Sequence, residues 1–110
     1  MKGINKTITI DGTDVPMRAS AASPRIYRTV FGKDLFMELN KLQEAYNKGE
    51  EIDLEVIENM AYLFAYQANE EIDNIDEWLD NFGISAIYEA MPQILALWNE
   101  NEESSSKAKK

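Results

Sequence analysis

Asp73, Asp76, Glu77 and Asp80 recur at i, i+3, i+4 and i+7, the spacing that gathers side chains on one face of a helix. Acid–base work by paired carboxyls, as in glycoside hydrolysis, needs two groups facing each other across a cleft, one of them buried so that its pKa rises. Four carboxylates sharing one exposed-looking face do not meet that requirement. The sequence contains no histidine and no cysteine. Imidazole and thiolate metal sites, disulfides, cysteine nucleophiles and histidine-based triads are therefore excluded together. The serines have no histidine or suitably placed lysine to activate them. No window has the alternating oxygen ligands, central glycine and terminal glutamate of a calcium loop. The five glycines are scattered as turn and cap residues and build no phosphate-cradling loop. The expectation is a chain that is not an enzyme, with no catalytic residue, no cofactor and no metal ligand.

The elements that position these groups fit one domain of 110 residues, 45% of them hydrophobic. The start, MKGINKTITI, lacks the apolar core of a signal peptide, and the longest nearly apolar run, Ala61 to Tyr66, is too short to cross a bilayer. Neither secretion by that route nor a membrane span is expected, and the missing cysteines fit a reducing cytosol. The net charge of -9 is unevenly placed. Met1 to Lys48 holds eight Lys/Arg and five Asp/Glu, whereas Gly49 to Glu103 holds fifteen Asp/Glu and no cation. Such a field repels phosphate backbones, so nucleic acid is not an expected partner. The acidic stretch reads either as a solvated face that keeps the protein dispersed or as a docking surface for a basic or amphipathic partner.

The fold class expected is mostly α with a small β component: a β-hairpin over residues 4–18, then about five short-to-medium helices over 23–98 packed as one bundle-like domain. Ile4 to Ile10 alternates as a strand, Asp11-Gly12 is a hairpin turn, and Val15 to Arg18 resumes in extended form with Pro16 at an edge or bulge. Ser23 as N-cap and Pro24 at the first helical position open a helix to Phe31. Gly32 either closes it or lies within one continuous helix. Asp34 caps a helix striped by Leu35, Leu39, Leu42 and Tyr46 and ended by Gly49. Asp53 caps a third, apolar round most of its circumference and therefore central. A fourth starts near Asn74 and runs towards Gly83. Ser85 caps the last, striped by Ile87, Tyr88, Met91, Leu95 and Trp98, with a kink or break at Pro92. Residues 99–110, apolar only at one alanine, are expected to be a disordered polar tail.

Most aromatics fall on these stripes and read as core. Trp78 reads otherwise, because it lies within the acidic cluster on a short helix with little room to bury it. An exposed tryptophan ringed by Asp73, Asp76, Glu77 and Asp80, with Phe82 beside it, would suit a protein–protein hot spot.

The run Ser23-Pro24-Arg25-Ile26-Tyr27-Arg28 followed by Phe31-Gly32-Lys33-Asp34-Leu35, after an isoleucine-rich hairpin with a D-G turn, resembles the tail assembly chaperones of long-tailed (siphovirus-type) phages and prophages of Gram-positive bacteria. The wording is confined to residues 20–35; residues 4–98 are similar in architecture. The resemblance implies a chaperone that binds the tape-measure protein in the cytoplasm of the bacterial host, keeps it soluble and assists tail-tube polymerisation, and is absent from the mature virion. It adds Tyr27, Arg28 and Phe31 to the candidate partner-binding residues. It also implies tail-tube protein as a second partner, through a longer frameshifted form. Strand addition at the hairpin edge would make homo-oligomers. The alternative is a structural head-tail connector or tail subunit retained in the particle.

Overall fold

The computed structural model describes the backbone of residues 3–108 and the side chains of residues 3–100. Strands β1 (Ile4–Ile10) and β2 (Thr13–Ala19) form an antiparallel hairpin, followed by α1 (Ser23–Phe31), α2 (Leu35–Lys48), α3 (Leu54–Ala68), α4 (Ile75–Leu79) and α5 (Ala86–Ala108). The Cα radius of gyration is 13.5 Å, close to the ~13 Å expected of a chain of about 100 residues. The expected class, a hairpin followed by five helices in one compact body, is what the chain adopts.

Asp11 and Gly12 close the hairpin with φ of 53° and 77°, positive at both central positions as a type I′ turn demands. Register then pairs Ile8 with Val15 and Thr7 with Pro16. Ile8, Ile10, Val15, Met17 and Ala19 are buried, while Asn5, Thr7, Thr9, Asp14 and Pro16 face solvent. β2 packs on α3 and β1 on α5, so the hairpin covers one side of the helical layer.

α3 is the central element, as its pattern predicts: nine of its residues are buried. Asp34 and Asp53 cap α2 and α3 by accepting from the N–H groups of Met37 and Glu55, at 3.1 and 3.0 Å. Gly32 and Gly49, both at φ 70°, end α1 and α2 in the left-handed conformation, so the chain breaks at Gly32.

Several local expectations are corrected. The N-cap of α1 is Ala22, with no side-chain cap. Ser23 is fully buried, and its hydroxyl donates to Gln67 Oε1 at the end of α3 while accepting from the Ser20 N–H at 3.1 Å. A tertiary hydrogen bond has taken the hydroxyl that a cap would have used. Tyr46 is 56% exposed, because α2 outruns the core at its C-terminal end.

Helix α5 runs through Pro92 without a break. Pro92 and Tyr88, whose carbonyl loses its partner there, lie on the solvent side, where water can serve that carbonyl. The opposite face, Ala90, Met91, Ile94 and Leu97, is buried and holds the helix in place. Asn99 and Glu100 continue the helix, and Glu100 accepts from Lys6 Nζ on β1 at 2.7 Å. Of the polar tail expected over residues 99–110, the side chains of 101–110 lie outside the described residues, as do residues 109–110 altogether.

Candidate functional site

The expected hot spot around Trp78 takes a different form. Trp78 is only 6% exposed, and its ring meets Tyr62 and Phe82 edge-on with centroids 5.7 and 5.1 Å away. Tyr62 donates from its hydroxyl to the Asp73 carbonyl at 2.7 Å, tying α3 to the segment that leads into α4. Burial, then the neighbouring Tyr66 and Asp73, raise the Tyr62 phenol above its ordinary pKa. A one-turn helix can bury a tryptophan here because Tyr62 of α3 and Phe82, just after α4, both pack their rings against it. Trp78 is core, and the exposed reading of it is corrected.

The four carboxylates do not share one helix face either. α4 spans only Ile75–Leu79, with Asn74 as its N-cap accepting from the Glu77 N–H at 3.0 Å. Asp73 therefore precedes the helix, and Asp80 is its C-cap. All four are exposed.

What the fold does build is an open groove, part apolar and part acidic, between the start of α3, α4 and the start of α5, with a volume of about 290 Å³. Ile57, Leu79, Phe82 and Ile87 form its apolar floor, and Asp76, Asp80 and Glu58 stand along it. Its rim carries large apolar side chains in water: Ile84 is fully exposed, Tyr88 is 49% exposed and Leu54 42%. Ile84 follows Gly83, whose N–H donates to Asp11 Oδ2 at 3.0 Å. The hairpin turn thus anchors the lip of a groove more than seventy positions away in sequence. Among the described residues, no ion pair involves Glu58, Asp76 or Asp80, and two lysines earlier in the chain pair with other carboxylates: Lys33 with Glu55 and Glu38, Lys48 with Glu44. Burial, then the like charges of Glu55 and Asp53, raise the Glu58 carboxyl above its ordinary pKa.

Of the sequence candidates, Asp76, Asp80 and Phe82 come together at the groove, while Asp73, Glu77 and Trp78 do not line it. Tyr27, Arg28 and Phe31 are also absent from it. Tyr27 is fully buried against Phe31, centroids 4.9 Å apart, while Arg28 is exposed on α1. Sequence reading missed Leu54, Glu58, Ile84 and Tyr88. Ile84 carried a signal, since a lone isoleucine between Gly83 and Ser85 has no stripe to join. A second, polar notch of about 260 Å³ lies between the hairpin turn and α5, lined by Asp11, Ser85, Glu89 and Gln93 among others.

Among the described residues no helix is long and apolar enough to cross a membrane, and no group of three or more acidic residues is placed to hold a metal ion. Compared with known protein families, with curated proteins and with solved structures, the chain matches none.

Proposed function

We propose that this chain is a non-enzymatic assembly chaperone for a long helical protein, of the kind made beside the tape-measure protein of siphovirus-type tails. In this reading it covers apolar stretches of that partner in the cytoplasm of the bacterial host. Tail-tube subunits then polymerise around the partner, and the chaperone is left out of the finished particle. The observation that carries the reading is the open groove: an isoleucine and a tyrosine held in water on an acidic body are what a protein needs to cover an amphipathic client and keep the complex dispersed. The wording of residues 20–35 supports the same reading.

Co-expression with the long coiled partner tests it. The expected result is a partner that stays soluble and co-elutes with this chain in a complex of defined mass. A partner that precipitates to the same extent with and without this chain overturns the proposal. Mass spectrometry of purified particles separates the alternative, because stoichiometric copies in the particle mark a head-tail connector or tail subunit.

A further inference from the structure

We infer that the α3–α4–α5 groove binds a cationic amphipathic helix, seating the helix's apolar side chains on Ile84 and Tyr88 and setting its flanking Lys/Arg against Asp76, Asp80 and Glu58. The inference rests on the protein-binding reading above and adds the chemistry of the occupant.

Size and openness come first. A cavity of about 290 Å³ lies at the small end of ligand pockets, which run from ~300 to 1,000 Å³ and enclose most of their ligand. This groove is bordered by three short stretches of helix and open along its length, so it takes a few side chains of a larger body. Backbone chemistry comes next. An extended peptide gains its affinity by adding to a sheet edge, and the groove-lining residues lie on α3, α4, α5 and the loop before α5, with no strand among them. A helix satisfies its own backbone and needs only an apolar seat for residues at i, i+3 or i+4, and i+7.

Charge then selects the occupant. The carboxylates stand on two walls, Glu58 on α3 and Asp76 and Asp80 around α4. The 55 residues from Gly49 to Glu103 that build this region hold no Lys or Arg, and no described ion pair from elsewhere reaches these three groups. An anionic or neutral helix would bring its own charge or nothing to that field, whereas Lys/Arg beside the apolar stripe answers it on both walls. The carboxylates also disfavour anionic partners, which gives the site specificity as well as attraction.

The test uses the full chain and a fluorescein-labelled synthetic helix of about 18 residues, long enough to be helical alone, with leucines on one face flanked by lysines. A second probe keeps the leucines and replaces every lysine by glutamate. Fluorescence anisotropy is expected to show the lysine probe binding at least about tenfold more tightly, with affinity falling as salt rises. Ile84→Ser and Tyr88→Ala, both at exposed positions, are each expected to weaken it about tenfold while circular dichroism stays unchanged. Asp76→Asn with Asp80→Asn is expected to weaken it severalfold and to flatten the salt dependence. Equal or tighter binding of the glutamate probe overturns the inference, as do rim variants that bind like the parent. Light scattering that shows self-association abolished by Ile84→Ser also overturns it, by giving the groove to a second copy of the chain. If the lysine probe fails while the coiled partner is still rescued in co-expression, this inference falls and the chaperone reading stands on another surface. If the probe binds and the partner precipitates, the reverse holds.

Discussion

The hairpin and the groove treat apolar residues in opposite ways. On the hairpin, Ile8, Ile10, Val15 and Met17 all turn inward, and the outward positions are Asn5, Thr7, Thr9, Asp14 and Pro16. Around the groove, Ile57 and Ile87 are buried as expected, yet Leu54 and Tyr88 on the same two helices, and Ile84 in the loop before α5, stand in water. A hairpin with one apolar face is completed by its own helices, whereas the groove has apolar surface left over after the fold is made. Scattered exposed hydrophobes are ordinary, but a cluster rimmed by polar groups marks a place where a partner completes the surface. The acidic field around that cluster distinguishes it further, because it adds a sign to the partner.

Trp78→Ala gives the sharpest contrast, since two of the groove's carboxylates, Asp76 and Asp80, flank in sequence a side chain that belongs to the closed part of the molecule. Removing a buried tryptophan costs about 3–5 kcal/mol, and a domain of this size loses ~4–8 °C of melting temperature per kcal/mol. Denaturant unfolding followed by circular dichroism is expected to show a large loss of stability or no folded baseline at all. A stability change within experimental error would put Trp78 back among the docking residues. Ile8→Ala probes the hairpin side of the comparison, with an expected loss of about 2–5 kcal/mol. A loss under about half of that would mean the hairpin face is less tightly completed than its burial indicates.

These two residues also show what the sequence disclosed and what it withheld. Ile8 was legible because strand alternation and an Asp-Gly turn are local signals, and the same holds for Asp34, Gly32, Asp53 and Gly49 at the helix ends. Trp78 was not, because its burial depends on Tyr62 and Phe82 closing on it from either side, and nothing in residues 73–80 announces Tyr62. The groove was half legible for the same reason. Asp76, Asp80 and Phe82 drew attention as a cluster, but Leu54, Glu58 and Tyr88 join them only when α3 and α5 pack. Ser23 misled because a hydroxyl before proline reads as a cap, and a partner 44 positions away had claimed it.

Smaller effects refine the contrast. Asp34→Ala removes a cap on α2, away from both regions, and is expected to cost about 1 kcal/mol, visible as a shifted midpoint with an unchanged slope. Glu58→Gln is expected to act in the other direction. Burial, then Glu55 and Asp53, hold the Glu58 carboxyl above its ordinary value of 4.5 in the folded chain. Between that value and the raised one, folding takes up a proton, so stability falls as pH rises through the window, and the penalty is fully present above it. The glutamine variant escapes the penalty, and denaturation curves should place it slightly above the parent at neutral pH and level with it once pH falls below the ordinary carboxyl value. A less stable variant at neutral pH would mean that the charge is compensated on the folded surface and that the groove wall is not short of a cation.

Ile84→Ser carries the smallest expected change in stability and decides the most. A fully exposed side chain contributes little to folding, and surface substitutions of this kind stay within about 0.5 kcal/mol. The residue is nonetheless held in place, because Gly83 beside it is fixed to Asp11 on the hairpin turn. If Ile84 were left outside simply because the core had no room, its loss would be silent in folding and in binding alike. If the groove is the open counterpart of the hairpin's closed face, the same substitution is silent in the melting curve and loud in the binding of a cationic helix. Asp11→Gly extends the argument: glycine keeps the left-handed turn that Asp11 adopts at φ 53° but removes the acceptor that holds Gly83. Weaker helix binding with the hairpin intact would show that the lip must be positioned as well as present, whereas binding equal to the parent would assign the groove's affinity to its side chains alone.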